Sequence, residues 1–342
     1  MTTYRESRAL SPPLPEARGA VSASVRTALR DGTAVALPPE SVADADPFGD
    51  DLQLALYVLY ELHYQGFDRV DDRREWDPDL LRVRRRLEDR FLGAVREAVA
   101  PGEGEGDTAD EALAGLLVEP LGYDTTSMTH FLQREGTREQ LREYAALRSP
   151  YHLKEADPHA WVLPRLHGRA KAGMVAVEFD EFGAGHPESI HARLFADLMA
   201  DLDLEIRYGH YVDATPAEAL ASVNLMSTLG LHRALRGALV GHFAVVEVTS
   251  SPGSRRLAQA MRRTGAGPAA EHFYDEHVEA DAVHEQVVRR EVVAGLLADE
   301  PHLEPDVAFG VRATVLVEDR LAVRLLNAWR AGRSALRRPL PR

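Results

Sequence analysis

The stretch HFYDEHVEADAVHEQ, residues 272–286, places three histidines and five carboxylates within fifteen residues that otherwise read as helix. On an α-helix, His277, Asp281 and His284 fall at about 0°, 40° and 340°, a single face spanning two turns. Neutral imidazoles and a carboxylate on one face form a comb suited to gripping a metal ion. Val278, Ala280, Ala282, Val283 and Val287 flank that face and Glu279 and Gln286 lie opposite, which turns the His and Asp side inward. The competing reading is a solvated charged helix with histidines scattered along it.

Other acids share this character. In HFAVVEVTSS, Glu247 interrupts an apolar run, where a lone carboxylate is costly unless a cation or a proton neutralises it. In VEFDEFGAGHPESIHARLF, Glu181 and His191 are ten residues apart. A continuous helix would separate their backbones by about 15 Å, but Gly183, Gly185 and Pro187 between them can break it. In SPYHLKEADPHAW, Ser149 and Pro150 read as a helix start with Glu155 nearly two turns in. Taken singly, each acid has a structural alternative: capping a helix, or pairing with an arginine. Together Glu155, Glu181, His191, Glu247, His277, Asp281 and His284 supply four carboxylates and three imidazoles, a total charge that two divalent cations cancel. Oxygen and imidazole donors without thiolate suit Fe(II) or Mn(II), and carboxylates projecting from bundle helices build dinuclear sites.

The remaining signals are weaker. Glu61 and His63 of ELH fall on different helix faces and read as surface residues. His152, His159 and His186 lie near the proposed ligands in sequence, either supporting them or serving as ordinary structural histidines. Arg233 and Arg236 could meet a substrate carboxylate, although salt bridging is the plainer expectation. No Gly-rich phosphate loop and no G-x-S-x-G is present, and GAGHP lacks the strand and length of a dinucleotide fingerprint.

Helices must position these residues. LQLALYVLYELHYQGF and LLRVRRRLEDRFLGAVREAV carry apolar residues three and four apart, and so do TREQLREYAALRS, SIHARLFADLMADLDL, PAEALASVNLMSTLGL, HRALRGALVGHFAVVEVTSS, RRLAQAMRRTG and LAVRLLNAWRAGRSAL. ATVLVED is the one strand-like segment. Residues 1–46 read as an irregular segment with one short helix near Ala20 to Asp31, so that the fold begins after them; residues 47–147 form a helical extension, with PGEGEGDTADE as an exposed loop. The expectation is an all-α protein, a bundle of about seven helices preceded by a smaller helical region. The chain has 342 residues, no cysteine and a net charge of −14. Disulfides, thiolate metal sites and cysteine nucleophiles are thereby excluded, and nucleic acid and anionic membranes are poor partners. Without a signal-type apolar core at its start, the chain is expected to be cytoplasmic.

The ordered series Glu155, Glu181 with His191, Glu247, and His277-x3-Asp281-x2-His284 resembles the heme-oxygenase-like diiron oxidases, the iron-containing redox enzymes, in their actinobacterial branch. The phrases KEADPHAW, DEFGAGHPESIHARLF and FYDEHVEADAVHEQ carry the same likeness, which covers about Arg148 to Trp329. The resemblance implies a seven-helix bundle of heme oxygenase type over 148–342, without heme, binding two Fe(II) and using O2 as co-substrate. It implies one iron held mainly by Glu155, Glu181 and His191 and the other by His277, Asp281 and His284, with Glu247 the extra carboxylate of N-oxygenating members. It further implies a small amino-acid or amine substrate, N-oxygenated or attacked at C–H, an external electron donor, and a homodimer joined through the extension. The alternative is a ferritin-like protein that oxidises iron without an organic substrate.

Overall fold

The computed structural model describes residues 11–100, 108–118 and 122–340, without the side chains of Pro39, Glu279, Asp281 and Ala282. Among the described residues every regular element is helical. Three longer helices come first: α1 (Ala20–Asp31), α2 (Asp50–Glu61) and α3 (Pro78–Ala98). Seven follow: α4 (Arg138–His152), α5 (Gly168–Glu181), α6 (His191–Asp201), α7 (Ala217–Leu231), α8 (Arg236–Thr264), α9 (Pro268–Val287) and α10 (Glu304–Arg330). Short helical turns connect them, and a π-helical segment, Val288–Val293, prolongs α9.

Local chemistry sets the boundaries. Thr137 and Gln140 cap α4 reciprocally, and Asp77 accepts from the first amides of α3 while Pro78 opens it. The first amides of α9 find their acceptor across the fold: Asp201 Oδ2, at the end of α6, takes the N–H groups of Ala269 and Ala270 at 2.6 and 3.1 Å. That bond ties the start of α9 to α6, and both helices carry metal-ligand candidates.

The bundle is organised around α8, which packs against α9 and α10. At the α8–α10 crossing both helices use glycine: a Cβ on Gly241 would strike the Val307 carbonyl, and one on Gly310 would strike the Ala238 carbonyl. The two backbones therefore approach closely, which holds Glu247 of α8 deep in the bundle. One apolar cluster runs from Val21 to Val317 and a second joins Phe131 to Leu336. No helix among the described residues is long and apolar enough to cross a membrane.

Several expectations change. The segment before Pro47 does not stand outside the fold, because Val21, Val25 and Leu29 on one face of α1 are buried in the first cluster. ATVLVED lies inside α10, where Ala313, Thr314 and Val317 face inward at helical spacing. Pro252 sits within α8, so the two segments flanking SPG are one 29-residue helix. Pro150 does not start a helix; it lies in the last turn of α4, where the Ser149 hydroxyl donates to the Ala146 carbonyl at 2.7 Å, the acceptor that the proline cannot use. Glu61 is fully buried, not on the surface, and His63 is also buried. Of the PGEGEGDTADE loop, residues 101–107 lie outside the described residues, and Thr108 caps the short helix Ala109–Ala114.

Candidate metal centre

Glu155 lies in the turn after α4, not two turns into a helix, and the next residue, Ala156, has φ 73°. A non-glycine residue in that region is strained, so the surroundings must enforce the turn. The anchor is Lys154. Its ammonium, 1% exposed, meets Glu61 Oε2 of α2 at 2.7 Å and stands over the rings of Tyr64 and Tyr57 at 4.1 and 5.2 Å. Tyr208 OH donates to the other Glu61 oxygen. The extension thus holds the backbone next to Glu155.

Glu181 ends α5 and His191 begins α6. Between them Gly183 and Gly185 adopt φ 80° and 87°, and Ala184 φ 51°. The chain doubles back there instead of continuing as helix, and His191 Nδ1 comes to lie 2.7 Å from Glu181 Oε2. The ten-residue spacing that a straight helix could not accommodate is closed by this break.

Glu155, Glu181, His191 and His277 bring one ligand atom each within 4.8 Å of one another, and Glu181, Glu247 and His284 form a second such group. All six are buried. Glu181 belongs to both groups. The structure therefore brings together six of the seven residues singled out in the sequence; the side chain of Asp281 lies outside the described residues, although its backbone is within α9. The partition differs from that implied by the resemblance. Among the described residues His277 joins Glu155 and His191, with its ring 4.5 Å from that of His191, and is not grouped with His284. Two α9 residues seven apart fall in different groups because they are separated by about 10 Å along the helix axis.

The imidazoles are oriented by what they touch. His277 Nδ1 lies 2.7 Å from the Phe273 carbonyl, which only accepts, so Nδ1 carries a proton and Nε2 is the nitrogen turned toward Glu155 Oε1, at 3.9 Å. His284 Nε2 meets Asp180 Oδ2 at 3.1 Å, leaving Nδ1 toward Glu247 Oε2 at 3.3 Å and Glu181 Oε1 at 3.9 Å. A carboxylate or carbonyl behind a histidine whose other nitrogen faces inward is the usual support of a metal ligand. His152 Nδ1 lies 2.7 Å from Glu155 Oε1. Burial opposes ionisation of Glu155, but His152, His277 and His191 together hold its carboxyl well below the usual carboxylate range. Its other oxygen, Oε2, is buried with no hydrogen-bond partner. An ionised, buried and half-partnered carboxylate beside two inward imidazole faces fits a divalent cation, and the all-oxygen and nitrogen donor set fits iron.

The remaining candidates fall away from the groups. His159 is buried against His242, Nε2 to Nε2 at 3.1 Å, while His186 is largely exposed. Arg236 pairs with Glu300, in line with the salt-bridge expectation. Sequence reasoning missed Asp180, Glu178 and the Lys154–Glu61 anchor; the only signal was the density of acids in VEFDEF, adjacent to Glu181.

No match is found among curated proteins. Residues 142–319, just over half of the chain, match the model of a family described as iron-containing redox enzyme. This span begins in α4, ends in α10 and contains every ligand candidate, and by it the chain belongs to the iron-containing redox enzyme family.

Proposed function

We propose that the protein is a non-heme diiron oxidoreductase that uses O2 to oxidise a small amino-acid or amine substrate, by N-oxygenation or by attack on a C–H bond. The observation that carries this reading is the sharing of Glu181 between two buried groups, one with Glu155, His191 and His277 and the other with Glu247 and His284. One metal ion does not need two such groups. Asp281, on the same helix face as His277 and His284, completes the proposed set, and its carboxylate brings the charge to that of two ferrous ions. When bound, the iron pair would supply electrons to O2.

The chain's own residues do the rest. Phe273 and Asp180 fix the orientations of His277 and His284, so neither of these two imidazoles would have to rotate to offer its inward nitrogen to a metal. His152 holds one oxygen of Glu155 and leaves the other for the metal. The burial of all six side chains excludes bulk water, which strengthens every charge interaction within. An external reductant and a homodimer joined through the extension belong to the same proposal.

The test is anaerobic titration with Fe(II), followed by O2 uptake in the presence of amino acids, amines and fatty acids. Two irons per chain and O2 uptake accelerated by one compound class support the reading. Two irons oxidised at a rate indifferent to every compound would replace it with ferroxidase activity. Binding of a single iron would overturn the dinuclear assignment.

A further inference from the structure

Glu178 lies one turn before Glu181 on the inward face of α5, beside the buried Met174 and Val177. It is 2% exposed, and both of its carboxylate oxygens are buried with no hydrogen-bond partner. It belongs to neither ligand group among the described residues. On the helix it is rotated about 60° from Glu181 and displaced about 4.5 Å along the axis, so it borders the metal groups without completing them.

Its surroundings make the problem of its charge worse. Burial first, and then Glu181 and Glu247 from the site and Asp157 from the turn after Glu155, push its carboxyl well above the usual range. The phenol of Tyr151 on α4 is likewise pushed well above its usual range, by burial and by Glu155, Glu181, Glu247 and Glu178. Lys154, the cation next to Glu155, is committed to Glu61. Two ferrous ions would balance the proposed ligand carboxylates and leave Glu178 over. As an anion in that position Glu178 is costly unless something brings it a positive charge and hydrogen-bond donors; without such a partner its carboxyl holds a proton.

We infer that Glu178 is the counter-ion for a basic nitrogen of the substrate, an ammonium or guanidinium held at the edge of the metal centre. This assignment rests on the proposed function and narrows it: fatty acids and neutral compounds are poor substrates, and discrimination resides in one side chain. A site built to bind a cation by a buried carboxylate strongly rejects the neutral analogue, because the carboxylate is then left unpaired.

The experiment uses full-length protein loaded anaerobically with Fe(II), with iron per chain measured first and binding of n-pentylammonium, n-butylguanidinium and 1-pentanol then followed by calorimetry. The wild type binds both cations at least tenfold more tightly than 1-pentanol. Glu178→Gln, isosteric and uncharged, keeps its iron and its melting temperature and loses that preference; Glu178→Asp retains most of it. Equal binding of cations by wild type and Glu178→Gln, or no cation binding by the iron-loaded wild type, overturns the inference. So does loss of iron in Glu178→Gln, which would make the residue a ligand. Failure of the wild type to take up two irons defeats the proposed function instead, and the separate iron measurement tells the two failures apart.

Discussion

Replacing Glu61 with leucine tests whether the extension holds the metal-binding turn. In the native protein the Lys154 ammonium and the Glu61 carboxylate, 1% and 0% exposed, meet at 2.7 Å. Removing one partner of such a pair costs about 3–5 kcal/mol, because a buried charge is left uncompensated. The Tyr57 and Tyr64 rings offset part of this, at most about 2 kcal/mol, but the Tyr208 hydroxyl also loses its acceptor, a loss of about 1–3 kcal/mol. The single variant should therefore lose about 3–5 kcal/mol. Glu61→Leu with Lys154→Met replaces the pair by apolar side chains of similar size and should recover most of that loss, since such replacements are often neutral. The assay is urea unfolding of the wild type, both single variants and the double, followed by circular dichroism, with iron per chain measured in parallel. A coupling energy of about 2 kcal/mol or more is expected, well beyond the roughly 0.5 kcal/mol of independent sites. Additive losses, or a single-variant loss below about 1 kcal/mol, the range of exposed ion pairs, would refute the view that this pair is dry and sustains the turn. Weakened iron binding in Glu61→Leu, a residue that touches no ligand, would show that the turn itself positions Glu155.

Other expectations follow from the same geometry. His277→Ala removes a ligand from the first group and should lower iron uptake to about one per chain while leaving the helical circular dichroism unchanged. Gly183→Val should do the same by a different route, because the φ of 80° disfavours a side chain and a Cβ would lie 2.7 Å from the Ile190 nitrogen; wild-type iron binding in that variant would show that the break tolerates other conformations. Gly310→Ala must push α8 and α10 apart and should cost about 1–3 kcal/mol or more in urea unfolding. Burial pushes the His242 imidazole down to about 3 from the usual 6.5. Its neutral form is thus favoured by folding, and stability should fall as pH drops from 6.5 toward 3, with a slope up to about 1.4 kcal/mol per pH unit from this group alone. His242→Gln should flatten that acid limb by close to one proton, as read from urea midpoints between pH 6.5 and 4.5; an unchanged slope would mean that the residue is protonated in the folded protein.

The helical class and the identity of the candidate ligands could be read from the chain because both are local. Apolar residues three and four apart require helices, and His277 and His284 share a face by the geometry of a single helix. Glu247 announced itself by sitting in an apolar run, since a buried carboxylate demands a partner wherever it lies. What the chain could not disclose was distance across elements. The glycine break between Glu181 and His191 could be suspected from GAGHP, but only the positive φ angles of Gly183, Ala184 and Gly185 show that it folds back far enough for the two side chains to meet. Glu155 read as helical because Pro150 looked like a helix start; its place in a strained turn is dictated by Lys154 and Glu61, 93 residues apart. Glu61 itself read as surface, because nothing within its own helix reveals that a lysine and a tyrosine from elsewhere will cover it. The sharing of Glu181 between two groups is likewise a property of α5, α8 and α9 together. Spacing along a chain determines which side chains one element presents, but only packing determines which of them come within reach of one another.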